Sequence, residues 1–250
     1  MKLVVIGGNG LIGSRLVKLL REHGQEVVAA SPTSGVNALT GEGLAEALKG
    51  ASVVIDVSNA PLREDAAVMN FFETSTRNLL AYGAAAGVSH HVALTVVGSE
   101  RMPENGYLRA KIAQENLIKA SATPYSIVRA TQFYESLKDI ADFSTSGSKV
   151  HLPHGLFQPI AADDVAAAMG RIALGPPIDG TVEIAGLEKF YLDELIRQGL
   201  ASRKDSREVV ADPHGGYYGI PVKEQTLLPG DDAALGTIRF QDWLAQGNLQ

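Results

Sequence analysis

The sequence predicts an α/β fold with a doubly wound, mostly parallel sheet, and three observations lead to this prediction. An apolar run from Leu3 to Ile6 leads directly into Gly7, Gly10 and Gly13, and a helical apolar pattern follows at once. Val- and Ile-rich runs then alternate with helical patterns through the first 130 residues. These runs are continuously apolar, which is typical of strands covered on both faces. Strands separated by helices form right-handed βαβ units in a parallel sheet.

The expected elements follow in chain order. Strands are predicted over residues 2–6, 26–30, 35–38, 52–57, 91–97 and 125–129, and helices over 11–23, 43–49, 64–86 and 105–120. After Arg129 the regular alternation ends, with short strands predicted over 149–152, 157–160 and 181–184 and helices over 164–174, 192–202 and 239–245. Turn residues crowd between these later segments, and no linker-like stretch is present.

We therefore predict a single domain of the Rossmann type over residues 1–250 rather than two independent domains. Residues 1–130 are expected to form the dinucleotide-binding core. Residues 131–250 are expected to form mostly a smaller α/β lobe on the substrate side, over the carboxyl edge of the sheet, where ligands of open α/β folds bind.

Composition excludes several classes of function. The chain has 22 Lys and Arg, 28 Asp and Glu and a formal net charge of -6, which disfavours a nucleic-acid-binding surface. The absence of cysteine excludes disulfides, thiolate catalysis and cysteine metal sites. The first apolar run ends at Gly7, too early for a signal peptide, and no segment approaches the roughly 20 apolar residues of a membrane span. We expect a cytoplasmic protein with a small-molecule substrate and no membrane or nucleic-acid partner; no pattern predicts an oligomeric state.

The glycine-rich turn between the first strand and the first helix predicts dinucleotide binding. Glycines remove Cβ atoms where a pyrophosphate would approach the backbone, and the helix N-terminus offers N–H groups and a partial positive charge. The loops after the later strands are expected to meet the rest of the cofactor, although ordinary turn chemistry is the alternative interpretation of Asn37, Ser58 and Asn59. The predicted cofactor contacts are Gly7, Asn9, Gly10, Leu11, Ile12, Gly13, Ser31, Ser34, Asn37, Ser58, Asn59 and Lys111.

The end of the second strand favours NADP, although NAD is also possible. NAD sites usually carry a carboxylate there to bind the ribose 2′-OH. Glu26 lies at the expected spacing, but it opens the strand, whereas the strand ends in Ser31-Pro32-Thr33-Ser34. Hydroxyl groups can donate to a 2′-phosphate without repelling it. An ordinary polar loop is the alternative interpretation of these residues, and no arginine accompanies them.

Tyr107 and Lys111 are the strongest candidates for chemistry. They lie four residues apart in a predicted helix, so their side chains share one face. A lysine ammonium about 4 Å from a phenol oxygen favours the phenolate by roughly 4 kcal/mol at an effective dielectric near 20. Such a tyrosine can exchange a proton with a carbonyl oxygen near neutral pH.

A second pair with this spacing, Tyr134 and Lys138, shows that the spacing alone is not specific. Position favours the first pair, because Thr95 near the end of the preceding strand offers a hydroxyl that could polarise a carbonyl oxygen. The histidines at 90, 91, 151 and 154 have no carboxylate or cysteine partners at recognisable spacing, so no metal site is predicted.

With these residues in place, the chain resembles the short-chain dehydrogenase/reductase superfamily, in its atypical, NmrA-like NAD(P)-binding branch. The resemblance rests on Gly7-x-x-Gly10-x-x-Gly13, Thr95 and Tyr107-x-x-x-Lys111, and it extends to the segment that begins at Gln158. It implies that Tyr107 is the proton donor, that Lys111 lowers the tyrosine pKa and binds the nicotinamide ribose, and that Thr95 replaces the usual serine. The proton-relay asparagine has two candidates, Asn70 and Asn78.

The resemblance implies an NAD(P)-dependent oxidoreductase that transfers a hydride to or from a small carbonyl, alcohol or quinone-like substrate. Some members of the branch lack the tyrosine and act as redox sensors without turnover, which is the alternative function for this chain. A sugar-nucleotide epimerase shares the Tyr–Lys pair but usually has a longer substrate lobe.

Overall fold

The computed structural model describes residues 1–247, and none of the helices in that range is long and apolar enough to cross a membrane. The chain divides into two compact units. The first consists of Met1–Arg129 with Val165–Val182. The second consists of Ala130–Asp164 with the described residues from Glu183 onward.

The first 130 residues alternate strands and helices as the sequence predicts. The elements are β1 (Lys2–Ile6), α1 (Leu11–Glu22), β2 (Glu26–Ala30), α2 (Leu44–Leu48), β3 (Val53–Asp56), α3 (Asp65–Ala86), β4 (His90–Val96), α4 (Gly106–Lys119) and β5 (Tyr125–Ala130). Short 3-10 helices lie at Pro32–Ser34 and Ser99–Arg101.

The remaining elements are shorter and less regular. They are α5 (Leu137–Phe143), β6 (Thr145–Ser146), β7 (Lys149–Leu152), β8 (Leu156–Phe157), α6 (Ala162–Leu174), β9 (Gly180–Ala185), β10 (Phe190–Tyr191), α7 (Leu192–Ser202), β11 (Glu208–Ala211), β12 (Ala234–Leu235) and α8 (Phe240–Ala245). A 3-10 helix over Tyr134–Ser136 precedes α5.

The main sheet has seven strands in the order β12-β9-β5-β4-β3-β1-β2. β1 lies between β2 and β3 and pairs with both in parallel, and β3 pairs in parallel with β4. Leu3, Val4 and Val5 are completely buried, as expected for a central strand with both faces covered. The predicted Rossmann-type α/β fold is confirmed.

The predicted strand over residues 35–38 is wrong. Gly35 has a φ of +78°, and the amide N–H of Val36 donates to the Ser31 carbonyl 3.0 Å away, which closes a turn after the 3-10 helix. The side-chain oxygen of Asn37 accepts hydrogen bonds from the backbone N–H groups of Leu39 and Thr40. These local hydrogen bonds compete with strand pairing, as is usual for asparagine in turns.

In the second unit, a three-stranded sheet of order β11-β7-β6 and the two-stranded β10-β8 sheet accompany α5 and α7. The sequence predicts β7 but not β6, β10, β11 or β12. β6, β10 and β12 are two residues long, so they are too short to carry an alternating pattern.

Aromatic ring contacts and hydrogen bonds to carboxylates hold the last described helix in the second unit. The rings of Phe240 and Trp243 pack against the buried ring of Tyr134, with centroids 5.2 and 5.3 Å away. The Trp243 indole N–H donates to Glu135, 3.1 Å away. The backbone N–H groups of Thr237 and Ile238, just before the helix, donate to Asp164, and the N–H of Phe240, its first residue, donates to Glu188.

Candidate cofactor-binding and active site

The glycine-rich turn after β1 is packed so tightly that two of its glycines are required by the protein itself. Gly7 has a φ of +79°, and a Cβ there would lie 2.9 Å from the Ser58 Cα. A Cβ on Gly13 would lie 2.7 Å from the Gly8 Cα and still closer to the Gly7 carbonyl oxygen. These close approaches bring β1, α1 and the loop after β3 together at the carboxyl end of the sheet.

Gly10 is different, because the protein leaves space for a side chain there. A Cβ on this exposed residue would meet only the Gly7 oxygen, at 3.3 Å. Gly10 is the N-cap of α1 and, within residues 1–247, no side chain caps this helix. The backbone N–H groups of Leu11, Ile12 and Gly13 form the first turn, where an α-helix has no intrahelical acceptors for them. A bare Cα beside such N–H groups suits an approaching anion.

The predicted contacts at the end of β2 are brought together beside the turn. The Asn9 side-chain amide donates to the Ser31 hydroxyl at 2.7 Å and to the Thr33 hydroxyl at 3.0 Å. Ser31 and Ser34 form a capping box on the Pro32–Ser34 helix. The sequence carries no carboxylate between β2 and Glu42, so hydroxyl and amide groups line this edge.

Two predicted asparagine contacts fold back on their own loops. The oxygen of the Asn37 side chain closes the turn described above, and that of Asn59 accepts from the Ala60 N–H at 3.0 Å. The Ser58 hydroxyl donates to the Asp56 carboxylate at 2.6 Å. Through these bonds, Asn37, Ser58 and Asn59 stabilise the conformations of their own loops.

Tyr107 and Lys111 lie on one face of α4, as the spacing predicts, and both contact Phe72 of α3. The Tyr107 ring lies edge-on to the Phe72 ring, with 5.8 Å between centroids. The Lys111 Nζ lies 4.2 Å from the centroid of the same ring, a cation–π contact. Lys111 is buried, whereas Tyr107 is partly exposed.

The ammonium of Lys111 belongs to a buried network that the sequence reasoning missed. Its Nζ donates to the Gln114 side-chain oxygen, and the Gln114 amide donates to Asp56 at 2.9 Å. Burial lowers the pKa of Lys111 to about 8, while the charges of Asp56 and Glu115 act in the opposite direction. Two signals could have identified this network: a carboxylate at the end of a wholly apolar strand run, and a glutamine one turn after the lysine.

Thr95 has a partner that the sequence reasoning did not foresee. Its hydroxyl donates to the Glu115 carboxylate at 2.8 Å, and Arg129 donates to both oxygens of the same carboxylate. Burial opposes the ionisation of Glu115, but the hydrogen bonds and charge of Arg129, together with hydrogen bonds from Thr95 and Lys119, outweigh it and lower the pKa of the Glu115 carboxyl. In this structure the Thr95 hydroxyl proton is engaged by Glu115.

The side chains of the two candidate relay asparagines, Asn70 and Asn78, form local hydrogen bonds. The Asn78 amide donates to the carbonyl oxygens of Ala38 and Leu39 and holds that turn against α3. The Asn70 oxygen accepts from Thr74 one turn later on α3.

The second Tyr–Lys pair occupies two different environments. Tyr134 is completely buried in the aromatic cluster, and burial raises its pKa well above the ordinary tyrosine value. Lys138 is exposed and pairs with Asp142 at 2.5 Å.

Among the described residues, no group of three or more His, Asp or Glu side chains is arranged to bind a metal ion.

Comparison with known proteins agrees with this architecture. Residues 7–175, more than half of the chain, match the family described as NAD(P)H-binding. A curated relative, the photosystem II assembly factor Ycf39 of Cyanophora paradoxa, is 24% identical over 151 residues, which cover 55% of this chain and 47% of that protein. The match therefore spans about half the length of that relative.

Solved structures with the same fold are more distant in sequence. MoeE5 in complex with UDP-glucose and NAD has a TM-score of 0.74 and 17% identity, with 99% of this chain and 97% of that one covered. A short-chain dehydrogenase/reductase superfamily protein from Agrobacterium tumefaciens with bound NAD has a TM-score of 0.73 and 17% identity, with 99% and 96% covered. The dTDP-glucose 4,6-dehydratase DesIV from Streptomyces venezuelae has a TM-score of 0.71 and 18% identity, again with 99% and 96% covered.

At these identities the likeness to solved structures is one of fold alone. The match of the family model to residues 7–175 establishes the family. The chain belongs to the NAD(P)H-binding family, as the predicted resemblance to NAD(P)-binding proteins implies.

Proposed function

We propose that this protein is an NAD(P)H-dependent oxidoreductase that transfers a hydride to or from a small carbonyl, alcohol or quinone-like substrate, with NADP(H) as the preferred cofactor. The observation that carries the proposal is the common contact of Tyr107 and Lys111 with Phe72 on one face of α4. The nicotinamide would supply or accept the hydride. The chain's own residues bind the cofactor, orient it and move the proton.

The residues of the glycine-rich turn fit a dinucleotide. Gly10 leaves a bare Cα where the protein itself has space for a methyl group, and the uncapped N-terminus of α1 directs its first N–H groups to the same place. A pyrophosphate bound there would receive charge-assisted hydrogen bonds and the favourable field of the helix dipole.

The preference for NADP(H) is supported by the groups at the end of β2. The Asn9 amide and the Ser31 and Thr33 hydroxyls lie together there, and the sequence carries no carboxylate between β2 and Glu42. Hydroxyl and amide donors can stabilise a 2′-phosphate. A carboxylate at this position, as in NAD-specific sites, would repel it.

Tyr107 is the proposed proton donor in carbonyl reduction. A positive charge on the face that it shares with Lys111 favours loss of the phenol proton to the developing alkoxide. Because the pKa of Lys111 lies at about 8, most of the lysine carries its proton at pH 7. The same ammonium is suited to bind a ribose hydroxyl of the cofactor.

The proposal is tested by incubating the protein with NADPH and a panel of quinones, aldehydes, ketones and nucleotide sugars, and following absorbance at about 340 nm. UDP-glucose belongs in the panel because MoeE5 was solved with it. Turnover is expected to be lost in Tyr107→Phe and kept in the matched control Tyr134→Phe, which alters the other tyrosine of the same spacing. Equal turnover in the wild type and Tyr107→Phe would refute the role of Tyr107.

A second candidate function is that of a redox sensor that binds NAD(P)(H) and signals through a partner without turnover. Two observations favour it: Thr95 directs its proton to Glu115, and the curated relative is named an assembly factor. The same panel separates the two functions. Tight NADPH binding with no turnover on any substrate, and an unaffected Tyr107→Phe variant, would favour the sensor.

A further inference from the structure

We propose that Asp56 and Gln114 are positioning residues that fix the Lys111 ammonium in place and keep it protonated, with the Gln114 amide as the bridge between carboxylate and ammonium. The three side chains are all buried, and they follow one another in a single line of hydrogen bonds. The role of Lys111 in cofactor binding and proton transfer rests on the proposed function. The hydrogen-bonded arrangement of Asp56, Gln114 and Lys111 is independent of that function.

Asp56 lies at the carboxyl end of β3, opposite Ile6 of β1 on one side and Ala93 of β4 on the other. Its Oδ1 accepts from the N–H and the hydroxyl of Ser58 at 3.0 and 2.6 Å, and its Oδ2 accepts from Gln114 at 2.9 Å. A buried carboxylate is tolerated where such donors surround it. Asp56 is therefore held rigidly by the strand, the following loop and α4.

The carboxylate decides which way the Gln114 amide points. A side-chain amide has a donating end and an accepting end, whereas an ionised carboxylate can only accept. Asp56 thus takes the NH₂ group and leaves the amide oxygen to face Lys111, one turn earlier on α4. With the reverse orientation, two donors would face each other at the lysine and two acceptors at the aspartate.

The charges around Lys111 make its protonation depend on Asp56. The titratable groups that act on Lys111 are Asp56 from β3 and Glu115 from its own helix, while α3 contributes the uncharged Phe72 ring. His91 of β4 interacts with the Asp56 charge, and burial lowers the pKa of His91 to about 4, so it is neutral near pH 7. Tyr107 lies one turn earlier on the same face of α4.

Of the two carboxylates, Asp56 has the larger effect on Lys111, and Glu115 is already engaged by Arg129 and Thr95. Burial is already the largest influence on the pKa of Lys111, and removal of the Asp56 charge would leave only the charge of Glu115 to oppose it. The lysine would then lose its proton within the neutral pH range.

The same carboxylate joins Lys111 to the glycine-rich turn. Ser58, which donates twice to Asp56, is the residue whose backbone lies against the Gly7 Cα. One buried anion thus anchors both the loop that supports the turn and the amide that holds the ammonium. Disturbing Asp56 is expected to affect both.

The first test uses the protein without cofactor. Spectra of protein labelled with ¹³C-lysine are recorded across pH, and the Lys111 Cε signal is assigned by its loss in Lys111→Met. The wild-type signal is expected to titrate near pH 8, and its midpoint is expected to fall by about one unit or more in Asp56→Asn. Gln114→Met, which keeps the side-chain volume, is expected to lower the midpoint as well and serves if Asp56→Asn does not fold.

The matched control is Asp193→Asn, which neutralises another buried aspartate, in the second unit, and should leave the Lys111 midpoint unchanged. Unchanged midpoints in both Asp56→Asn and Gln114→Met would overturn the proposal.

The second test measures NADPH affinity by calorimetry in a double-mutant cycle. Asp56→Asn is expected to raise the Kd about tenfold more when Lys111 is present than in Lys111→Met, where only its effect on the glycine-rich turn remains. An equal loss in both backgrounds would mean that Asp56 only supports the fold, which contradicts the proposal. A wild type with no affinity for NADPH or NADH would refute the proposed function, and the lysine titration would still decide the inference on its own.

Discussion

A glycine in the turn can be required either by the packing of the protein or by the approach of the cofactor. Gly10→Ala separates these two reasons, because it adds one methyl group where the protein itself has space. The backbone of Gly10, with φ of -80° and ψ of -175°, is open to any residue. The new methyl would meet only the Gly7 oxygen at 3.3 Å, which requires an adjustment of a few tenths of an ångström. We expect an unfolding free energy lower by about 1 kcal/mol or less, since alanine is a poorer N-cap than glycine. For a chain of this size that corresponds to a Tm lower by about 2–4 °C.

Cofactor affinity should respond much more strongly to the same methyl group. It would stand between a pyrophosphate and the first N–H groups of α1, and each hydrogen bond to a charged group contributes about 1.5–3 kcal/mol. Loss of one such bond raises the Kd for NADPH by at least about tenfold, and loss of two raises it by a hundredfold or more. Calorimetric titration with NADPH, together with thermal unfolding of the same samples, gives both quantities.

Two further glycine variants serve as controls for the effects of Gly10→Ala on stability and on cofactor affinity. Gly13→Ala would force a methyl group into the Gly7 and Gly8 backbone, so it should lower stability by about 1–3 kcal/mol or more and reduce affinity through misfolding. Gly83→Ala lies within α3, where the new Cβ would make an ordinary 3.6 Å contact with Val88. It should raise stability by up to about 1 kcal/mol through helix propensity and leave affinity unchanged. A folded Gly10→Ala protein with wild-type affinity would refute the assignment of the pyrophosphate site.

Three other predictions follow from individual side chains. Thr33→Asp introduces a carboxylate at the end of β2 and should weaken NADPH binding about tenfold relative to NADH, measured by paired titrations. Tyr134→Phe removes a buried hydroxyl that has no hydrogen-bond partner among the described residues, so thermal unfolding should show a gain of about 1 kcal/mol rather than a loss. His91 has a pKa of about 4 in the folded protein against 6.5 ordinarily, so the unfolded state binds more protons between these values. Acidification through that window should remove about 3 kcal/mol of stability, and His91→Gln should abolish this part of the loss in urea unfolding measured at each pH.

The parallel core could be predicted because its signals are local. The continuous apolar runs, the three glycines and the helical periodicity each specify an element without reference to distant residues. Helix α3, predicted over 64–86, spans Asp65–Ala86, and α7, predicted over 192–202, spans Leu192–Ser202. The wrong strand in this core, over 35–38, lies where Gly35 and Asn37 form a turn, and these residue types are typical of turns. Outside the core, the strand predicted over 157–160 shares only Phe157 with β8.

The buried polar network could not be predicted from single residues, because its hydrogen bonds form only where β3 and α4 pack together in the fold. Asp56 is four residues into an apolar strand and Gln114 is mid-helix, and neither position by itself indicates a contact across 58 residues of sequence. The spacing of Lys111, Gln114 and Glu115 does place the three on one side of α4. Thr95 was identified as a polar group at the strand end, but its direction towards Glu115 follows from tertiary packing alone.

The bond between Glu135 and Trp243 joins residues 108 positions apart in the chain. Ribosomes add about 5–20 residues per second, so roughly 5–20 seconds pass between the synthesis of the two side chains. During that interval the Tyr134 ring has neither Phe240 nor Trp243 to cover it. A nascent or truncated chain that stops before Phe240 would expose this apolar surface to chaperones and proteases, so incomplete copies of the protein should be short-lived in the cell.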